Sequence, residues 1–186
     1  MTPQQPTARK AAAAETRARL LDSGLRLAER TGLSGLSVNL LVEEAGVSKG
    51  SFFHHFGDRS SYLLALHREF HDRSAEHIDT AVAGLAPGRE RLLTGARVYL
   101  DACAHQRGIR ALLLEARAEP AVAAEITRRN EDFARTCTAD FQTLQRRHPL
   151  DSAQLWVAMC AEAALIELAS SARARSVRAA LAEFLR

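Results

Sequence analysis

The side chains best suited to chemistry lie within residues 37–56, which read SVNLLVEEAGVSKGSFFHHF. A cation, a hydroxyl and an imidazole, on Lys49, Ser51 and His54, follow the glycine at position 46. All three groups can donate hydrogen bonds to phosphate oxygens and to the edges of bases. Their grouping predicts contact with a nucleic acid.

Two short helices must hold these side chains in place. Leu41 and Ala45 fall at helical spacing, and Phe52 and Phe56 resume that spacing after an interruption. The interruption predicts a turn at 46–48, where glycine suits a left-handed backbone conformation. The pattern is typical of a helix-turn-helix, and the alternative is a plain helical hairpin within an α-helical bundle.

Each short helix begins with a serine at the position expected for an N-cap, Ser37 and Ser48. Glu43 and Glu44 would repel phosphates if they faced a duplex. We therefore expect the first short helix to turn both carboxylates away, or the basic residues at 9–10 to offset them.

Composition favours helices along the whole chain of 186 residues. Prolines and glycines are few, at five and ten, and β-branched residues are scattered. We predict an all-α protein of about nine helices, with a flexible basic arm at 1–13, a head at 14–74 and a C-terminal domain at 75–186. Besides the two short helices, the others are expected at about 14–31, from 59 to a break at 86–88, and at 89–105, 109–116, 120–147, 152–172 and 176–185.

Charge and cysteine content limit the location and the partners. The chain has 25 Lys and Arg against 22 Asp and Glu, a net charge of +3 that permits a polyanionic partner without requiring one. Three cysteines, an odd number, do not fit a secreted disulfide framework. No uncharged apolar run reaches the ~18 residues that a membrane span needs. We therefore predict a cytoplasmic protein with no membrane partner.

The last two helices carry more apolar surface than one buried stripe requires. Leu155, Met159, Leu165, Ile166 and Leu168 cover much of the circumference of the first of them. Extra apolar surface of this kind is typical of a subunit interface. We predict a homodimer formed through these two helices, with a third layer of core as the alternative.

The N-terminal third of the chain resembles the tetracycline-repressor (TetR) family of bacterial transcriptional regulators. The resemblance covers about fifty residues and is carried by Thr16-Arg17, Gly32, Ser37-Val38, Ala45-Gly46-Val47-Ser48, Gly50-Ser51-Phe52-Phe53, His55-Phe56 and Arg59. It implies a three-helix, homeodomain-like head followed by a helical domain for ligand binding and dimerisation.

The resemblance also implies a function. The chain would bind double-stranded DNA at a palindromic operator as a homodimer and respond to an unknown small-molecule effector; we predict a repressor, with an activator as the alternative. The helix from about 49 to 55 would enter the major groove. The residues expected to contact DNA are Ser37, Ser48, Lys49, Gly50, Ser51, Phe53, His54, His55 and Arg59.

Some residues depart from the family pattern. Phe53 stands where a tyrosine is usual, which removes a hydroxyl that commonly reaches a phosphate. Val42 replaces an alanine, and Arg59 and Ser60 replace a Lys-Glu pair. Together with the modest net charge, Phe53 supports the alternative of a helical protein-interaction module that has lost DNA binding.

Aromatic and polar residues of the C-terminal domain are candidates for an effector site, and ordinary core packing is their alternative role. They are Arg97, Tyr99, Cys103, Arg117, Phe133, Cys137, Phe141, Trp156 and Glu162.

Other chemistry has weaker support. The chain contains no pattern of a serine-hydrolase elbow, a phosphate-binding loop or a dinucleotide fingerprint, so we predict neither an enzyme nor a cofactor. His67 and His71 have the spacing of a metal pair, but Glu69 lies on the wrong side of the helix to assist them. A metal-responsive or, through the cysteines, a redox-responsive regulator remains a further alternative.

Overall fold

A computed structural model describes residues 8–31, 36–105, 114, 118–170 and 174–186. Every regular element within that part of the chain is helical, which confirms the all-α prediction. The short helix predicted at 109–116 lies outside the described residues, apart from residue 114. The eight α-helices described are α1 (Ala8–Thr31), α2 (Val38–Ala45), α3 (Lys49–Phe56), α4 (Arg59–Val82), α5 (Arg89–His105), α6 (Pro120–Thr143), α7 (Pro149–Ala169) and α8 (Ala174–Glu183).

Helices α1, α2 and α3 pack on one another and on the first half of α4, and we call this unit the head. Each of the four helices contributes a side chain that is at most 1% exposed: Leu20, Leu41, Phe52 and Tyr62. Phe56 is also buried, so the apolar residues of α3 form the head core, as their spacing predicts.

Helix α4 continues from the head into the rest of the molecule. Leu63, Leu66 and Phe70 are buried in the head, whereas Ile78 lies against Gly95 of α5. The predicted division at 74/75 therefore falls inside a continuous helix. The division into domains stays a prediction.

Helices α5, α6, α7 and α8 form a second bundle against the other half of α4. The most extensive helix contact is between α6 and α7, and α8 covers part of α7. Arg178 of α8 donates to both carboxylate oxygens of Glu167 on α7, at 2.8 and 2.9 Å, and also bonds Asp101 of α5. These charge-assisted bonds fix the last helix on the bundle.

Several helix boundaries differ from the sequence prediction. Helix α1 begins at Ala8 rather than at 14, because the alanine run at 11–14 has the highest helix propensity. Residues 8–13 of the predicted flexible arm are therefore helical, and 1–7 lie outside the described residues. Helix α6 ends at Thr143 rather than at 147. Two residues later, Gln145 has a φ of 54°, which is not a helical conformation. Helix α7 begins at Pro149, since proline is well tolerated in the first helical turn.

Helix α7 is the most apolar helix and is only partly covered. It is the one helix of the described residues that is long and apolar enough to cross a membrane by length and composition, and 33% of its most apolar window is buried. A core helix passes the same test, and the buried face of α7 packs on α5 and α6. The uncovered face includes Leu155, which is 65% exposed.

Candidate nucleic-acid interface and adjoining cavity

Local hydrogen bonds fix the turn between α2 and α3. The Oγ of Ser37 accepts from the N–H of Leu40 at 3.3 Å, which caps α2. Gly46 ends α2 with φ 62° and ψ 40°, the left-handed conformation that glycine adopts at little cost. The Oγ of Ser48 accepts from the N–H of Ser51 at 3.1 Å and caps α3. Both caps and the turn lie where the sequence predicts them.

The outer face of α3 presents most of the predicted DNA-contacting side chains together. Lys49, Gly50, Phe53 and His54 are exposed, whereas Ser51 is half-buried and within 3.1 Å of the Ser48 hydroxyl. A cation, an imidazole, a phenyl ring and an open glycine thus lie on one surface. The mixture can contact phosphates, base edges and thymine methyl groups.

Basic side chains border this face of α3. Arg17 of α1 lies over the ring of Phe56 at 5.4 Å, and Arg59 begins α4. Neither of them, nor Lys49, forms an ion pair with any described carboxylate. Burial and, to a lesser extent, the charges of His54 and Arg17 lower the pKa of His55. Three unpaired cations beside a neutral imidazole suit a polyanionic partner.

The acidic residues of α2 have different surroundings. Glu44 accepts from Arg26 at 3.3 Å and from Arg30 at 2.8 Å, both on α1. These hydrogen bonds lower the pKa of Glu44. The carboxylate is thus offset by arginines in the second half of α1, and not by the basic residues at 9–10. Glu43 is exposed.

A cavity of about 430 Å³ lies between α4, α5, α6 and α7. Of the predicted effector-site residues, Tyr99, Phe133, Cys137 and Trp156 line it. The other predicted residues do not line it: Arg97 and Glu162 are exposed, Cys103 and Phe141 are buried elsewhere in the core, and Arg117 lies outside the described residues.

Sequence reasoning missed the wall that α4 contributes. His67, His71, Ala75, Ile78 and Val82 line the cavity along one face of that helix. Their spacing of three and four residues could have indicated a shared face, but not that this face borders an open space. The His67 and His71 rings lie 4.4 Å apart, and no group of three described His, Cys, Asp or Glu residues could hold a metal ion.

A buried carboxylate beside the cavity links α6 to α4. Glu125 of α6, only 4% exposed, accepts from Arg128 at 2.6 Å, from Arg129 at 2.9 Å and from Arg68 of α4 at 3.0 Å. Burial alone would raise the pKa of Glu125, but the arginines outweigh it and lower the pKa to about 2. Arg129 also donates to Asp72 of α4 at 2.7 Å.

The two cysteines that line the cavity, Cys137 and Cys160, are unreactive thiols. Burial raises the pKa of Cys137 to about 11 and that of Cys160 to about 12. Both thiols therefore stay protonated at neutral pH, and the thiolate is the reactive form. This environment gives the redox-responsive alternative no support.

Comparison with known proteins finds similarity within the head. Residues 20–66 match the family model of bacterial regulatory proteins, tetR family. Over 63 residues the chain is 40% identical to the HTH-type transcriptional repressor AcnR of Corynebacterium efficiens, a match that spans 34% of each protein. The matched segment is thus about a third of the length of that relative.

Solved structures share the fold over nearly the whole chain. A transcriptional regulator from Rhodococcus sp. Rha1 superimposes with a TM-score of 0.79 at 21% identity, covering 91% of this chain and 93% of that one. The multidrug binding protein EbrR complexed with imidazole superimposes with a TM-score of 0.73 at 22% identity, covering 91% and 94%. At such identities the likeness establishes the architecture alone.

Proposed function

We propose that this chain is a cytoplasmic transcriptional repressor of the tetR family of bacterial regulatory proteins, which binds operator DNA as a homodimer and releases it when a small molecule binds. The match of residues 20–66 to the model of that family supports the proposal. The family and the fold are those of transcription regulators, not of enzymes. The observation that carries the proposal is the exposed face of α3, with its unpaired Lys49 and open Gly50.

Each side chain at this surface has a role in the proposed complex. Helix α3 enters the major groove, where Lys49, Ser51 and His54 read base edges and Phe53 contacts a sugar or a thymine methyl. The other predicted residues contact phosphate: His55 and Arg59 through their side chains, and Ser37 and Ser48 through donors at the starts of α2 and α3.

The uncovered faces of α7 and α8 form the proposed dimer interface. Leu155 is 65% exposed and Phe184, just after α8, is 62% exposed. Large apolar side chains exposed to this extent are typical of an interface. A two-fold dimer presents two α3 helices, so the operator is a palindrome with half-sites about 34–36 Å apart.

Polar contacts between α4 and α6 couple the cavity, where the proposed effector would bind, to the head. Ser60, at the start of α4, donates to Glu119 at 3.0 Å, and farther along Arg68 donates to Glu125. A ligand in the cavity pushes on the same two helices. If it favours one spacing of the two heads, operator affinity changes by its differential affinity for the two conformations.

Selection from a random double-stranded DNA library tests the function. We expect enrichment of a palindrome that the protein binds with steep salt dependence, because phosphate neutralisation releases counterions. Lys49→Ala should weaken binding about tenfold, whereas Arg147→Ala, which removes an equal charge from an exposed site remote from α3, should not. A well-folded protein that enriches no sequence would support the interaction-module alternative instead.

A further inference from the structure

Three aromatic side chains contribute to the cavity wall. Tyr99 of α5, Phe133 of α6 and Trp156 of α7 all line it, and Trp156 is only 3% exposed. The faces of aromatic rings attract cations, and indole attracts them most strongly. The wall therefore suits an apolar ligand and favours one that carries a positive charge.

The arginines of the cavity are committed to carboxylates. Arg91 donates through Nε and Nη2 to the two oxygens of Asp140, at 2.7 and 2.6 Å. Arg128 and Arg129 both donate to Glu125, at 2.6 and 2.9 Å, and each also bonds an aspartate at 2.7 Å. An anionic ligand would have to take an arginine from an existing partner, which leaves a carboxylate uncompensated.

A carboxylate, by contrast, is available. Four aspartates and three arginines line the cavity. Among the described residues, Asp79 on the exposed edge of α4 has no ion-pair or hydrogen-bond partner. The lining is thus negative by one charge when the histidines are neutral.

We propose that the cavity binds a compact organic cation with an apolar body, held against the aromatic wall and paired with Asp79. This inference rests on the effector site of the proposed function and names the chemical class of the ligand. The expected orientation places the charge between Asp79 and the aromatic wall, where both the carboxylate and the ring faces stabilise it.

The single tryptophan of the chain makes a direct test possible, because quenching of its fluorescence reports occupancy of the cavity. The probes are three molecules of nearly equal shape: phenyltrimethylammonium, the neutral tert-butylbenzene and the anion benzenesulfonate. We expect the cation to bind the full-length protein about tenfold more tightly than the neutral probe and the anion to bind weakest. Calorimetry gives an independent affinity.

Two variants isolate the carboxylate. Asp79→Asn should weaken binding of the cation about threefold and leave the neutral probe unchanged. Glu76→Gln, which removes an equal charge from an exposed site of α4 that does not line the cavity, should change neither. Equal binding of all three probes, tighter binding of benzenesulfonate, no quenching by any probe, or an unaltered Asp79→Asn variant would each overturn the inference.

The measurement is made without DNA, so it fails independently of the proposed function. A selective cation site in a protein that enriches no operator would leave the ligand class standing and overturn the repressor. If the protein binds an operator but its cavity shows no preference for a charge, the repressor function stands and the ligand class is overturned.

Discussion

Gly50 has room for a side chain in the free protein, which makes it a probe of how closely α3 approaches DNA. A Cβ built there has the Oγ of Ser48 as its nearest neighbour, at 3.6 Å, and its φ is not positive. We expect Gly50→Ala to leave the free energy of unfolding unchanged or raise it by up to about 1 kcal/mol. Operator affinity, measured by fluorescence anisotropy, should fall because the methyl group meets the duplex.

Gly46→Ala is the matched control for a backbone requirement. No atom lies within 4 Å of a Cβ at position 46, but the φ of 62° is strained for alanine. Urea denaturation should show a loss of about 1 kcal/mol. Unchanged operator affinity in Gly50→Ala would contradict a close approach of α3 to the bases.

His55 should make operator binding depend on pH. Its pKa in the free protein is lowered from 6.5 by burial and by nearby positive charge, so the ring is mostly neutral at pH 7. A phosphate beside the ring would favour the charged form and raise the pKa in the complex. Formation of the complex then takes up a proton at pH values between the pKa of the free protein and that of the complex, and affinity should rise as the pH is lowered through this range.

Anisotropy titrations at several pH values measure this slope. His55→Gln should flatten it, whereas His77→Gln, at an exposed position on α4 away from α3, should not. A slope that survives the loss of His55 would show that another group takes up the proton and that His55 does not contact phosphate.

At the scale of the elements, the two helices of the helix-turn-helix, α2 and α3, could be predicted because the interactions that fix them are local. Ser37 and Ser48 bond backbone groups three residues away, and Gly46 supplies its own turn. Phe52 and Phe56 are buried wherever that helix packs, since an apolar stripe must be covered. Each feature can be read within about ten residues of sequence.

The cavity could not be predicted in the same way because its wall depends on distant pairs. Arg91 and Asp140 are 49 positions apart and meet only when α5 and α6 pack. Arg97 and Glu162, predicted as effector-site residues, are exposed on the outer faces of their helices. Which side of a helix borders the cavity depends on how the three neighbouring helices pack against it. The periodicity of one helix contains no information about that packing.

Helices α1 and α4 should be sensitive to a single added methyl group. A Cβ at Gly24 would clash with the Oη of Tyr62 and lie 3.0 Å from its Cζ. That hydroxyl is buried and donates to the carbonyl of Leu20 at 2.9 Å. We expect Gly24→Ala to lower the free energy of unfolding by about 1–3 kcal/mol, because the ring must move within a packed core.

A double-mutant cycle separates the clash from the hydrogen bond. Tyr62→Phe alone should cost about 1 kcal/mol through the lost bond. Combined with Gly24→Ala it should cost less than the sum, since the oxygen that clashes is gone. Strict additivity of the two changes would contradict the close packing of α1 on α4.

The carboxylate between α4 and α6 should contribute a pH-dependent part of the stability. The pKa of Glu125 is about 2 in the folded protein, below its ordinary value of 4.5. A depressed carboxyl pKa stabilises the fold above the unfolded pKa, and this contribution is lost as the pH falls from 4.5 toward 2. Because Arg68 and Arg128 are half exposed, screening should limit the loss in Glu125→Gln to about 2 kcal/mol at pH 7.

Thermal unfolding between pH 7 and pH 3 measures this contribution. The gap in stability between the natural protein and Glu125→Gln should narrow as the solution is acidified through that window. Glu131→Gln, at an exposed site of the same helix, should show no such gap. A gap that stays constant with pH would mean that packing, not charge, accounts for the effect of Glu125.

At the scale of the whole molecule, the proposed repressor requires two heads at a fixed distance, so we expect that loss of the dimer also abolishes tight operator binding. Leu155 is the most exposed large apolar side chain of the described residues, at 65%, on the helix that is the most apolar. In a dimer formed through α7 and α8 it would be buried, and a charge placed there would lose its hydration. We expect Leu155→Glu to give a monomer by analytical ultracentrifugation, with the helical content unchanged.

The monomer should also lose most of its affinity for a full palindrome. It should keep the weak binding of one head to a half-site, since a single module buries only about 600–1,000 Å². Ala139→Glu adds the same charge to an exposed position of α6 and should leave a dimer that binds normally. A Leu155→Glu protein that remains dimeric would place the interface elsewhere. A monomer that binds the full operator as tightly as the natural protein would separate assembly from recognition and remove the reason for a palindromic site.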